Sequence, residues 1–453
     1  MATLKRVDIF NIIMLSLSAL CGVYLSMGDV LFGSDGFKNQ SFFMSLGLLL
    51  ILIGFLTSVF LINKFKNDYH PSSLLFIGLF TLFVINTITL FITPDSKEYV
   101  LNSVKDGPIK FNFETNLTYK FSCVFQLVGL LSLVYIIFDL APKLFKDNRI
   151  IDMYPFLCIV TVSIVILLSY IFDFEKYINF FPSLFKGNVY DSTVSFLFGS
   201  RNTFAFIIVL GIISCLYLHL KYRKIYYVIG SIYFYLSLVF TFSKTALILS
   251  FILLCAYYLY RFFITYQDNK KRNIIALSIT GSILLVLLTI GIVVLSVTSS
   301  WDKIISSDGT STLTTRFYIY RNVIDILNQT NFFGGAGFHM FGEILYQFNA
   351  HDSFAFIYNN TSFAHNAALE LLGNGGVVML GLAIILYVQI IIRYVKYIKV
   401  DKHFAIFGLA LITFASIYSL FESGSFIFAS SFDYLVLSFI IVTPIMHIYP
   451  YKQ

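Results

Sequence analysis

The chain has 453 residues, of which 58% are hydrophobic and 12% charged, with a formal net charge of +7 and a mean hydropathy of +0.82. A water-soluble fold of this size would have too few charges to cover its surface, so that class is excluded. The basic residues sit in short loops between apolar runs and form no continuous patch, which excludes a nucleic-acid partner.

A bilayer core about 30 Å thick takes roughly 20 apolar residues per helix. Runs of that length fall near 7–27, 40–63, 72–93, 119–138, 151–172, 203–219, 225–242, 245–263, 273–297, 364–392, 403–421 and 431–449. The expected fold is therefore an all-α polytopic membrane protein with about 12 transmembrane helices. The first run is too long for a signal-peptide core and ends without a small-residue cleavage site, so it is expected to be retained. Ser243-Lys244 interrupts the run 225–263, where a charge at mid-depth is costly, which predicts two helices joined by a tight turn.

Lys and Arg set the orientation. With the N-terminus inside, about 19 of the 31 basic residues fall in inner segments. Both termini are then cytoplasmic. Three long loops, 94–118, 173–202 and 298–363, lie outside. The last of these connects the ninth and tenth helices. Within it Phe317, Ile319, Tyr320, Val323, Ile324 and Leu327 recur at roughly helical spacing, which predicts an amphipathic helix over 315–327. The five cysteines (Cys21, Cys123, Cys158, Cys215 and Cys255) all lie in apolar runs without CxxC spacing, so they read as packing residues. No HxxxH, HExxH or Asp-rich pair points to a metal.

Polar residues gather in the outer segments, while the spans themselves read as clean. Phe198-Gly199-Ser200-Arg201-Asn202 precedes the sixth span, and Ser243-Lys244-Thr245 forms the tight turn. Arg316 and Arg321 lie in the large loop, followed by Gly334-Gly335-Ala336-Gly337. Ala364-His365-Asn366 opens the tenth span, and Gly373–Gly376 follows within it. Several cations facing one outer space favour an anionic ligand, and the planar fork of arginine holds two phosphate oxygens at once. Taken singly, each cation also reads as a solvated or snorkelling charge. Arg316 and Arg321 are five apart and do not share a helix face. Histidine takes a proton near neutral pH, so His365 fits a general base, or alternatively a plain helix-start residue. Spacing alone does not prefer it over His339 or His351. The glycines at 334–337 lack the Lys-Ser/Thr of a P-loop and read better as a sharp re-entry of the loop toward the membrane.

The order of these features resembles the O-antigen ligase and polymerase superfamily, bacterial membrane glycosyltransferases that move lipid-linked glycans. Its pattern is a Ser-Arg turn opening a helix, then an outer loop with Arg-x-x-x-Trp and Gly-x-Gly, then Ala-His-Asn opening a Gly-rich helix. Here these stand as Ser243-Lys244, Arg316-x-x-x-Tyr320, Gly335-x-Gly337 and Ala364-His365-Asn366 with Gly375-Gly376. The resemblance covers about 240–395. It divides the chain into an N-terminal transmembrane half, 1–242, and a ligase/polymerase-like region, 243–453. Lys244 departs from the usual Arg and loses a bidentate fork, and Tyr320 replaces the usual Trp.

The resemblance implies cofactor-free, metal-independent, inverting transfer from an undecaprenyl-diphosphate-linked oligosaccharide, on the outer face of the bacterial cytoplasmic membrane. Arg316 would hold the diphosphate and His365 would be the acceptor base, oriented by Asn366, with Arg201, Arg321 and Lys244 as supporting cations. Polymerisation of capsular or O-antigen-type repeats is the preferred outcome, with a flippase and a chain-length regulator as partners besides the lipid bilayer. Ligation of the glycan to a lipid, wall or protein acceptor is the alternative. A lipid-linked oligosaccharide transporter is the rival of another class, and it would show symmetric halves and charged or broken helices at mid-membrane.

Overall fold

Apolar runs that must hide their backbone polar groups become helices wherever the chain is described. The computed structural model describes residues 73–103, 107–135, 149–185, 192–196, 201–265, 312–351 and 363–421. The expected spans 7–27, 40–63, 273–297 and 431–449 lie outside these residues. In chain order the elements are α1 (Ser73–Ile92), β1 (Ser96–Ser103), β2 (Gly107–Glu114), α2 (Leu117–Tyr135), α3 (Arg149–Phe172), α4 (Phe174–Phe185), α5 (Arg201–Tyr222), α6 (Ile225–Val239), α7 (Lys244–Thr265), α8 (Thr312–Asn328), α9 (Met340–His351), α10 (Ala367–Tyr397) and α11 (Lys402–Ser419). Four of the described helices are long and apolar enough to cross a bilayer, or five if α3 and α4, bent by 79°, form one span. The chain is a helical membrane protein.

The described residues group into two units, one drawn from Met1–Ile151 and Leu313–Gln453, the other from Asp152–Thr312. In the second unit α5 is the central helix. Almost every residue from Thr203 to His219 is buried, as expected of a helix apolar all round. Gly211 allows the close approach, since a Cβ there would lie 2.9 Å from both Phe234 and Val162. Short connections make α6 antiparallel to both α5 and α7, so α5 and α7 begin at the same end. There the short helix α4 is stapled by Phe180 and Leu184 onto Phe240 and Phe242.

In the first unit the segment expected as a loop over 94–118 is an antiparallel hairpin, with Tyr99 opposite Phe111 and Leu101 opposite Ile109. Exposure alternates along β2 with the period of two that a half-buried strand requires. The edge of β1 is closed by Gln329 at the end of α8. Its side-chain amide accepts from the Val100 N–H at 2.8 Å and donates to the Val100 carbonyl at 2.7 Å. The buried side of the hairpin joins Ile319, Val323 and Ile326 of α8 and Phe341, Ile344 and Phe348 of α9 in one hydrophobic core. The amphipathic helix expected over 315–327 is α8, and it packs into this core.

Candidate functional site

Arg316 and Asn366 both reach the end of α11, and Tyr320 ties the backbone of His365 to α8. Arg316 and Tyr320 are four apart on α8, so they share a face one turn apart. The Tyr320 hydroxyl donates to the His365 carbonyl at 3.1 Å. Arg316 Nη1 donates to the carbonyl of Phe421, and Asn366 Nδ2 donates to the carbonyl of Leu420 at 3.3 Å. These two carbonyls follow the last turn of α11, where the helix dipole is negative and carbonyls lack helical partners, so a guanidinium is favoured there.

His365 sits just outside the start of α10 with φ 49°, a left-handed conformation that costs a non-glycine residue roughly 1 kcal/mol or more. Its neighbours hold that shape. Asn366 is the N-cap of α10, its side chain accepting from the N–H groups of Ala368 at 3.0 Å and Leu369 at 3.1 Å. On the other side Glu370, one turn into α10 and 1% exposed, accepts from the Ala364 N–H at 2.6 Å.

The glycine turn after α8 docks into a break in α10. Gly375 and Gly376 have non-helical backbone, with φ 62° and ψ −161° at Gly376. The groups freed by that break are taken by the turn. Ala336 N–H donates to the Gly373 carbonyl at 2.8 Å, and Val377 N–H donates to the Phe332 carbonyl at 3.1 Å. A Cβ on Gly335, where φ is +66°, would lie 2.7 Å from the Leu372 carbonyl oxygen, and one on Gly376 would lie 2.6 Å from that of Phe332. The Ala336 N–H is thus spent on a protein acceptor, and the turn packs against α10.

Beneath the turn lies a buried polar network. Asn86, in the middle of α1, donates to the Asn374 carbonyl at 2.9 Å and accepts from the Phe338 N–H at 2.8 Å. Asn374 accepts from the His339 N–H at 2.9 Å and donates to both the backbone and side-chain oxygens of Glu370, at 3.0 and 3.3 Å. The expectation of clean spans is corrected here, because Asn86, Glu370 and Asn374 are polar and at most 1% exposed within apolar helices. The signal was present in the sequence: a lone Asn in an apolar run, and Glu and Asn four apart on one helix face. Burial pushes the Glu343 carboxyl up to about 7 and the neighbouring His339 imidazole down to about 4.

Arg321 follows Arg316 by five residues on α8, about 140° around the helix, so it does not share the face that carries Arg316 and Tyr320. Arg201 and Lys244 are the first residues of α5 and α7 and stand at one end of the second unit. The Lys244 ammonium lies 5.8 Å from the ring of Phe242, a left-handed turn residue with φ 50°. Two helices joined by a tight turn are found as expected, but the turn lies over 240–243, and Lys244 and Thr245 are already helical. Among the described residues no group of three or more His, Cys, Asp or Glu side chains is placed to hold a metal ion.

A comparison with curated proteins returns no match. A family model described as O-antigen ligase matches residues 229–386, from within α6 to within α10, spanning Lys244, Arg316, Arg321, His365 and Asn366 but not Arg201. Over that region, about a third of the chain, the sequence is similar to the O-antigen ligase family.

Proposed function

We propose that the protein transfers a glycan from an undecaprenyl-diphosphate donor to an acceptor hydroxyl, and that it polymerises capsular or O-antigen-type repeats. The observation that carries this reading is that Arg316 and Asn366 reach adjacent carbonyls at the end of α11, while Tyr320, one turn from Arg316, bonds the backbone of His365. Breaking the sugar–phosphate bond leaves a diphosphate of growing charge, and a preorganised guanidinium lowers that barrier. The acceptor hydroxyl loses a proton as it attacks, and a base in hydrogen-bond reach contributes roughly 10²–10⁴-fold. In this reading Arg316 holds the diphosphate and His365 takes the proton.

Arg321 is the supporting cation on α8, and Arg201 and Lys244 bind anionic substrate at their own end of the second unit. Arg201 and Lys244 each put a positive side chain at the positive end of a helix dipole, an arrangement that disfavours the protein alone and favours a bound anion. In the same reading α8 and the start of α10 face the outer side of the cytoplasmic membrane, which the charge distribution of the loops supports.

The test is purified protein with a lipid-linked repeat unit as sole substrate, followed by gel analysis of glycan length. Longer lipid-linked glycan supports polymerisation. Product only after a separate lipid, wall or protein acceptor is added identifies ligation instead. Loss of product from both Arg316→Ala and His365→Ala, with normal membrane insertion, is expected, and wild-type product from either refutes its assigned role. Activity is expected to persist in EDTA, and loss on chelation would overturn the metal-free scheme.

A further inference from the structure

We propose that Glu370 and Tyr320 are positioning residues that hold the His365 turn in its left-handed conformation and thereby aim the imidazole. The proposal rests on His365 being the acceptor base. A left-handed histidine returns to ordinary backbone angles unless its surroundings over-determine it. Here the constraints fall on consecutive groups of the chain. The Ala364 N–H donates to the Glu370 carboxylate at 2.6 Å, the His365 carbonyl accepts from Tyr320 at 3.1 Å, and Asn366 caps α10.

The Glu370 side chain resembles the acidic arm of a capping box, but it reaches one residue further back than the N-cap neighbour. Its two oxygens face two donors, the Ala364 N–H and the Asn374 amide. A carboxylate satisfies both. An amide at 370 offers one acceptor oxygen and one donor, so one of the two contacts becomes donor against donor. Asn374 fixes the carboxylate in turn and also binds the His339 N–H, so the His365 turn is referenced to the glycine turn and to Asn86 on α1. Tyr320 lies one turn after Arg316, so the hydroxyl that fixes the His365 carbonyl also sets the separation between the base and the diphosphate-binding guanidinium.

The experiment compares kcat and the donor KM of the full-length protein with those of Glu370→Gln, Tyr320→Phe, the double variant and His365→Ala, per folded molecule. Misplacement of a catalytic group lowers turnover without weakening donor binding, so Glu370→Gln is expected to lower kcat about tenfold or more with KM changed less than about twofold. Tyr320→Phe, which removes one hydroxyl and keeps the ring, is expected to lower kcat several-fold in the same manner. The double variant is expected to lose less than the product of the two, because both act on one turn. Wild-type kcat from Glu370→Gln with an inactive His365→Ala overturns the positioning role and leaves the base reading intact. An active His365→Ala overturns the base reading itself. If Glu370→Gln does not fold, Tyr320→Phe decides, and an unchanged kcat there overturns the proposal.

Discussion

Tyr320 donates its hydroxyl proton to the His365 carbonyl across 3.1 Å, and this contact gives the Arg-x-x-x-aromatic spacing a physical meaning. One helical turn separates a guanidinium that reaches the end of α11 from a phenol that reaches the start of α10. The same turn of α8 therefore addresses both, and the spacing is a distance written into the helix pitch.

Replacing Arg316 by Lys keeps the charge but removes the planar fork. Turnover is expected to fall about 100-fold, as when one preorganised donor to a developing oxyanion is lost. Initial rates of glycan formation test this, and a variant within twofold of wild type would assign Arg316 to capping α11 alone.

Gly376 is held at φ 62°, ψ −161°, a region essentially reserved for glycine, and faces the Phe332 and Phe333 carbonyls. Gly376→Ala is expected to destabilise the protein by roughly 3 kcal/mol. On the same helix, a methyl group on Gly381 would meet nothing within 4 Å, so Gly381→Ala is expected to stabilise by about 0.5–1 kcal/mol. Thermal unfolding in detergent separates the two, and equal shifts would contradict the interlock of turn and helix.

Asn86→Leu keeps the side-chain volume but strands the Phe338 N–H and the Asn374 carbonyl in a dry interior. A loss of about 2 kcal/mol or more is expected. Unfolding midpoints check it, and a more stable variant would show that the network serves something other than stability.

Glu343 and His339 give opposite pH dependences. The Glu343 carboxyl, raised to about 7 by burial, binds more protons folded than unfolded, so its contribution to stability falls as pH rises from about 4.5 to 7. The His339 imidazole, lowered to about 4, binds fewer protons folded, so its contribution rises between about 4 and 6.5. The advantage of Glu343→Gln over wild type is expected to grow from pH 4.5 to 7 and then level off. Wild type is expected to gain on His339→Asn from pH 4 to 6.5. Unfolding midpoints from pH 4 to 8 test both, and parallel curves would contradict them.

The helices were legible in the sequence because length and hydropathy suffice to mark an apolar run, and α8 because its apolar residues keep the helical period. That Arg316 and Asn366 reach adjacent carbonyls after α11 was not legible from periodicity, because none links α8 to α10. The hairpin was missed because Tyr99, Leu101, Ile109, Phe111 and Phe113 alternate over strands of only 8 residues each, inside a segment bounded by two spans and read as a loop. Asn86, Glu370 and Asn374 were missed for another reason. A window average over about twenty residues absorbs one amide or carboxylate, while a dry interior does not. Glu370 in particular shows its purpose only once the chain ahead of α10 folds back onto it.

The interlock of the glycine turn with α10 also constrains how this region is assembled and exchanged. The backbone of 332–336 supplies the partners that α10 loses at its glycines, so that helix cannot straighten while the turn is seated. Neither piece is complete as a module. A chimera that takes the segment after α8 from one relative must take the matching glycine pair of the following span with it, or both ends of the exchange are left with open backbone groups in a medium that offers no water to fill them.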